Sequence, residues 1–368
     1  MRRFRSALAV ALCCFALAEL FAESVWIAGK GGIYRSELDG ETGALTTPEL
    51  KLSYESGSFL AIHPSLNVIY SSYSEGKQGG YASLVPSDAS DGLELQSVQL
   101  LKPEARTASH LAVSSNGNLL AGAHYGSESA FVSELEEDGT ISGRRVRLSQ
   151  EGSGPIKSQE QSRPHWVQFT QNDSQLQVVD LGADRIWTYR VGASLADIVL
   201  EREVALPIGT GPRHMSISEE NGLAFVSGEL SLDVVTLRYD PESGKLDPAH
   251  YMPAIPERGI PGQLALSEIQ VHPNGNFLYV AVRGQDLIVV YQIDHDKGDI
   301  SLVERQDATV EWPRHFTISQ DGKWLIVAGR RSDELATFWI NPFNGALEPS
   351  GSKVSVPEPV CVRAWGRL

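Results

Sequence analysis

The sequence predicts an all-β chain, a seven-bladed β-propeller with four-stranded blades and one blade closed by strands from the two chain ends. Three observations carry this. A hairpin phrase recurs, made of an apolar strand, a polar turn with Asn or Asp and often Gly, and a second apolar strand. It is plainest over 110–121, 268–280 and 315–327, with turns at Asn116-Gly117, Asn274-Gly275 and Asp321-Gly322. Such turns between alternating strands are the strongest short hairpin signals. Looser copies start at Phe59, His165 and His214, so the six phrase heads are spaced 47 to 55 residues apart, a period that belongs to propellers. The ends supply the pieces of one more blade. Residues 25–34 form a half-phrase and residues 360–363 an unpaired strand. Joining them closes the ring and hides edge strands that would otherwise invite aggregation. A solenoid or a pair of β-sandwiches would not repeat the hairpin, turn in register, six times.

Each hairpin leads into a third strand, as at 186–191 and 287–293. A polar turn then precedes an outer fourth strand, as at 240–246 and 341–347.

Ahead of the repeats stands a secretory signal over residues 1–22, leaving a propeller domain over 23–368. Arg2, Arg3 and Arg5 form its basic region, residues 6–18 its uncharged apolar run, and small residues offer a cut after Ala18 or Ala22. The run is short for a membrane span and Glu19 interrupts it. The mature chain is therefore expected to be exported, to the periplasm or the exterior, without stable membrane insertion. Cys13 and Cys14 make a poor lipoprotein site, because Leu12 is larger than the small residue such a site wants. A cut after Ala22 removes three arginines and one glutamate and takes the formal net charge from −15 to −17. It leaves Cys361 as the one cysteine, so no intrachain disulfide forms.

So acidic a chain, without a long basic run, is not built for nucleic acid or anionic lipid. An anionic substrate must be drawn by a few local arginines. The sequence holds no compact His/Glu metal motif and no Gly-x-Ser-x-Gly elbow, so neither a metal, another cofactor nor a serine nucleophile is expected. A monomer acting on a small molecule is the expectation.

The hairpin repeat places the candidate site. The Asn-Gly and Asp-Gly turns mark the closed ends of the hairpins, so strand heads and tails meet at the open ends and ring one axial mouth. The spacing sets His110 near His124, His165 beside Asp180, Arg213 and His214 beside Glu229, Glu268 beside Arg283, and Arg314 and His315 beside Arg330 and Arg331. Ionisable groups at this density mark a binding funnel. A purely structural role competes at each position. Four phrases begin with His, as a repeated inter-blade bond would require, and Asp180 suits a turn cap. His63 and His272 fall on the opposite face and read as structural.

These segments also resemble a known family. Residues 162–167 (Ser-Arg-Pro-His-Trp-Val), 180–185 (Asp-Leu-Gly-Ala-Asp-Arg), 209–214 (Gly-Thr-Gly-Pro-Arg-His), 228–230 (Gly-Glu-Leu), 282–284 (Val-Arg-Gly), 312–316 (Trp-Pro-Arg-His-Phe) and 359–362 (Pro-Val-Cys-Val) are similar to signature segments of the seven-bladed propeller lactonases. That family includes a 6-phosphogluconolactonase and a fungal carboxy-cis,cis-muconate cyclase. The resemblance runs in order through the mature chain and implies a catalytic cluster of His165, Arg213, Glu229 and Arg283. His110, His124, Asp180, His214, Glu268, Arg314 and His315 are expected to bind substrate around it. Where several second strands of the family end in Asn, this chain has His124, Gly228, Val282 and Gly329. The export signal is a further departure, because phosphogluconolactone is a cytoplasmic metabolite.

The function expected is hydrolysis of a sugar lactone, with a base for water and a guanidinium for the developing oxyanion. The alternatives are an exported binding module without catalysis and a muconate-type lactonising cyclase using the same acid and arginines. Arg213 and Glu229 flank one hairpin. The guanidinium should lower the carboxyl pKa and leave His165 the better proton acceptor.

Overall fold

The structure, a computed structural model, describes residues 22–54, 57–87, 91–101, 105–256 and 263–365. It is a ring of seven four-stranded antiparallel sheets. Blade 1 combines the two ends: the strand Cys361–Trp365 pairs antiparallel with Ala22–Gly29, which continues into Gly32–Asp39 and Glu49–Ser53, with Ile27 opposite Val362. Blades 2 to 7 follow in chain order over 60–100, 110–149, 164–205, 212–253, 265–307 and 313–355, each starting at its inner strand. The expected signal, residues 1–22, lies outside the described residues except for Ala22, the first residue of a strand.

Alternation on the strands puts apolar side chains on both faces of each blade, where they meet the next blade rather than a central core. One such layer joins blades 7 and 1 through Val25, Ile27, Trp324, Ile326 and Val362, all buried. Another joins blades 5 and 6 through Phe225, Val234, Ile269, Val280 and Tyr291. Trp166 and Trp187 are buried in these layers too.

The hairpin turns lock neighbouring blades on one face. His63 Nε2 donates to the Gly117 carbonyl at 3.1 Å and His272 Nε2 to the Gly322 carbonyl at 2.8 Å. Their Nδ1 atoms accept from backbone N–H groups of their own turns. Gly117 and Gly322 have φ of +76° and +73°, which suits glycine, and an added Cβ would press on the imidazole.

A second device works on the opposite face. Asp184, Asp286 and Asp333 have positive φ at the turn between second and third strands. Their carboxylates take backbone N–H groups at the start of the next blade: Gly211 at 2.7 Å, Trp312 at 2.9 Å and Glu358 at 2.7 Å. Asp184 also holds Gly209 N. The segments that carry Arg213 and Arg314 are thereby tied down just before those residues.

Candidate active site at the propeller mouth

Four inner strands carry one extra residue at their heads, and the extra residue falls on the candidate site. In blade 4, Pro164 pairs with Asp180 but Trp166 with Val179, so His165 is bulged. In blade 5 the irregularity covers Arg213 and His214, in blade 6 Ser267 and Glu268, and in blade 7 Arg314. A bulge bends its strand and re-aims a side chain. Here it turns side chains that regular alternation would bury between blades toward the axis.

The result is two layers. The upper one centres on Glu229, at the tail of the second strand of blade 5. Its Oε2 lies 3.0 Å from Arg213 Nε and 2.9 Å from Arg283 Nη2. The two guanidiniums come from adjacent blades and are almost wholly buried, while the carboxylate keeps partial exposure. Burial alone would raise the Glu229 pKa, but Arg283, Arg213 and Arg314 outweigh it and hold the carboxyl below its usual range. Burial and the repulsion of Arg283 bring Arg213 down to about 9. Arg283 also donates to the Leu266 carbonyl at 2.9 Å.

His165 sits beside this cluster, with its ring 5.7 Å from Tyr125 edge-to-face and 5.2 Å from His214. Burial, then Arg213, His214 and Arg314, push its pKa well below the ordinary value, so the ring is neutral. Its Nδ1 is buried without a hydrogen-bond partner among the described residues. An unpaired buried nitrogen is costly, and the positive charges of Arg213 and Arg314 act on this ring.

The lower layer fills the axis itself. Phe59, His110, His214, Glu268 and His315 are phrase heads, all buried. Phe59 packs 4.2 Å from the His110 ring and 5.4 Å from the His315 ring, with the Arg363 guanidinium 4.9 Å away. Glu268 does not pair with Arg283 as the hairpin spacing suggested, because the bulge rotates it inward. Its Oε2 receives His214 Nδ1 at 3.0 Å and lies 2.9 Å from His315 Nε2. Burial would raise the Glu268 pKa, but the two imidazoles overcome it and leave it well lowered. Burial brings His214 down to about 3, with Arg213 adding to the fall.

His124 and Asp180 lie within the protein fabric. His124 is fully buried, with Nε2 2.7 Å from the Tyr81 hydroxyl and Nδ1 2.5 Å from the Arg106 carbonyl. Asp180 caps the turn that follows it. It accepts from Ser162 Oγ at 2.5 Å, Arg163 N at 2.6 Å, Gly182 N at 3.0 Å and Trp187 Nε1 at 3.3 Å. His110 faces the axis, and its Nδ1 meets Val167 N of the next blade at 3.5 Å. Among the described residues no group of three or more His, Cys, Asp or Glu side chains is arranged to hold a metal ion, and no helix is long and apolar enough to cross a membrane.

The sequence matches the family model "Lactonase, 7-bladed beta-propeller" over residues 21–364. The chain belongs to the seven-bladed β-propeller lactonase family. It is 31% identical to a 6-phosphogluconolactonase of Bacillus subtilis (strain 168) over 337 residues, which cover 91% of this chain and 95% of the relative. A solved protein from Lactobacillus plantarum superposes with a TM-score of 0.86 at 25% identity, covering 94% of this chain and all of that one. A periplasmic gluconolactonase of Pseudomonas aeruginosa superposes with a TM-score of 0.84 at 24% identity, covering 94% and 99% of the two chains; at that identity the likeness shows the fold.

Residue spacing does not point to Tyr125 or to the role of Asp184. Tyr125 is half-buried beside His165, with the Arg163 guanidinium 4.8 Å over its ring. Burial raises its pKa, so the phenol stays protonated. It directly follows His124, and hairpin counting stopped one residue short of it. Asp184 lies in a signature segment, and its offset from Asp180 puts it in the turn where its carboxylate reaches the next blade.

The buried histidines make stability depend on pH with a definite sign. Burial lowers the pKa of His110, His124, His165, His214 and His315, with His124 at about 4. The unfolded chain takes up these protons below about pH 6.5 and the folded chain does not. Their contribution is complete above that pH and is lost as pH falls toward the folded values, by up to about 1.4 kcal/mol per pH unit for each histidine that stays neutral. Urea midpoints should hold nearly level from pH 7.5 to about 6.5 and fall steadily from there to about pH 5. A midpoint constant over that range would contradict the buried, neutral axial layer.

Proposed function

We propose that this chain hydrolyses a lactone, most simply a sugar lactone of the 6-phosphogluconolactonase type, at the mouth built by His165, Arg213, Glu229 and Arg283. One observation carries the reading: a carboxylate held between guanidiniums of two blades beside a neutral imidazole with a free nitrogen. Membership in the lactonase family and the 31% identity to a 6-phosphogluconolactonase support it.

The chemistry follows from the charges. Ester hydrolysis builds negative charge on the carbonyl oxygen as water adds to the carbon. A buried guanidinium at that oxygen stabilises it far more than solvent would. Arg283 and Arg213 are fixed for this role by Glu229, whose carboxylate keeps two like charges close together. His165 takes the proton of the attacking water. It stays unprotonated because of burial and Arg213, and the developing oxyanion raises its basicity at the moment the proton arrives. When the ring C–O bond breaks, the same proton passes to the departing ring oxygen, so one water is added and a hydroxy acid leaves. Tyr125, protonated and beside His165, lines the path of that proton. No step requires a metal or an organic cofactor.

Glu229→Gln, His165→Ala and Arg283→Ala should each lower lactone turnover by about a hundredfold or more, the scale of losing one acid–base or oxyanion group. Steady-state assays of the mature protein on a panel of sugar lactones check this, with thermal midpoints close to the parent's showing that the fold is kept. Turnover that survives all three substitutions would remove the assignment, and a parent that opens no lactone would favour a binding module. Export is proposed with it, on the basic and apolar N-terminal segment. Mass spectrometry of exported protein should find Glu19 or Glu23 as its first residue, and intact Met1 on protein confined to the cytoplasm would overturn it.

A further inference from the structure

Neighbouring blades are joined on the hairpin-turn face by a repeated contact that blade 1 does not make. The first residue of a blade's second strand lies against a glycine in the outer turn of the next blade: Gln175 on Gly244, Leu223 on Gly298, Phe277 on Gly345 and Trp324 on Gly43. Trp324 stands five residues before Gly329, the last of its strand. In blade 1 the residue five before the closing Gly29 is Ser24. A serine is too short to do what Trp324 does, and its hydroxyl turns back into blade 1, donating to Glu37 Oε1 at 3.2 Å and accepting from Arg35 Nη2 at 3.2 Å. A pocket of about 390 Å3 lies at this place, its lining including Ser24, Trp26, Arg35, Lys51, Trp365 and, from the outer turn of blade 2, Gly92.

Two buried donors in this lining are unmatched. Trp26 is 6% exposed, and its indole Nε1–H has no hydrogen-bond partner among the described residues. Arg35 stands opposite Trp26 on the adjoining strand, with its guanidinium 5.7 Å from the centre of the indole ring. Its Nε–H is buried and unmatched in the same way. Indole and guanidinium nitrogens donate only, so both groups call for an acceptor oxygen, and a buried donor without one is costly.

The acceptor need not carry charge. Lys51 Nζ lies 2.7 Å from Glu49 and 2.7 Å from Asp91, while Arg35 pairs with Glu37 and lies 4.0 Å from Asp91. Two cations thus meet three carboxylates, and the pocket offers an anion no excess of positive charge. Trp26 and Trp365 add flat apolar area to a lining that is otherwise largely polar. The volume lies at the small end of ligand sites, which run from about 300 to 1,000 Å3. An occupant of this pocket is small and neutral, apolar on one side and rich in oxygen at its edge.

We propose that the pocket between blades 1 and 2 binds a neutral sugar ring, at a site separate from the propeller mouth and independent of the chemistry there. The C–H side of the sugar packs on indole, and its hydroxyl oxygens accept from Trp26 Nε1–H and Arg35 Nε–H. The Asp91 carboxylate, which lines the pocket, accepts a sugar O–H in return. Ser24 is the residue that makes room, since a side chain the size of Trp324 in its place would occupy the pocket. A free monosaccharide and the end unit of a glycan present the same ring, and the experiment separates them.

The test follows the indole N–H resonance of Trp26 by NMR in the mature protein, with Trp26→Phe identifying the signal. Glucose, galactose and N-acetylglucosamine are titrated as neutral rings, gluconate as an anionic counterpart, and a disaccharide of the best ring as a chain end. At least one neutral sugar should shift the resonance saturably, and gluconate should bind at least tenfold more weakly. Ser24→Trp should weaken that sugar at least tenfold. Should this variant fail to fold, Trp365→Ala, at a partly exposed position, carries the same expectation. Arg283→Ala, a change at the mouth, should leave the titration as it is. Tighter binding of the disaccharide identifies a glycan as the source, and tighter binding of the single ring a free sugar. No saturable shift with any neutral sugar, equal binding of gluconate, or sugar affinity unchanged in the pocket variant would overturn the site. A shift lost in Arg283→Ala would also overturn it, by placing the sugar at the mouth. Absence of lactone turnover leaves the titration unaffected, so failure of the lactonase reading is seen separately.

Discussion

Convergence of the inner strands on one axis is the constraint from which the site follows. Each blade sends one strand head to the centre, so each head must contribute a side chain that fits a space shared with six others. Phe59, His110, His214, Glu268 and His315 fill that space as a buried polar plug. The plug holds because Glu268 is charged and the rings around it are neutral. A neutral imidazole donates one N–H and needs no counter-ion, so two of them stabilise one carboxylate without adding a buried positive charge. The plug is also the floor of the mouth, and above it the chain can afford a clamp of opposite composition, one carboxylate among guanidiniums.

Bulging supplies the other half of the geometry. Regular alternation would send every second side chain between blades and leave no reason for neighbouring residues such as Arg213 and His214 to share the axial region. The extra residue in blades 4, 5, 6 and 7 breaks that alternation where His165, Arg213, Glu268 and Arg314 stand. The aspartates at positive φ then fix the approach of the next blade, so that Arg213 and the loop before Arg314 are set by backbone hydrogen bonds. The proposed site depends on small departures from a highly regular fold.

The regular part was legible in the sequence and the departures were not. Turn chemistry and a period near fifty residues gave the blade count, the closure of 22–29 against 361–365, and the neighbourhood of Arg213 and Glu229, because each is a property of spacing. Spacing alone misassigned the partner of Glu268, since one bulged residue reverses the face on which a side chain stands. It also could not tell His124 and Asp180, satisfied inside the protein by Tyr81, Arg106 and the 180–187 turn, from residues that face the mouth. Hydrogen-bond satisfaction is a three-dimensional property with no signature in residue type. Trp312 stands in a signature segment, but nothing in its sequence context announces a left-handed tryptophan between two guanidiniums.

In the proposed reaction the reacting carbonyl sits between the Arg213–Glu229–Arg283 clamp and the free nitrogen of His165. The measurement that tests it most directly is a crystal structure of the mature protein with the hydroxy-acid product of its best lactone. The product carboxylate should lie at hydrogen-bond distance, about 3 Å, from the Arg283 guanidinium and face His165. A product bound on the opposite face, among the Asn-Gly turns, or held at the mouth with its carboxylate turned away from both residues, would contradict it.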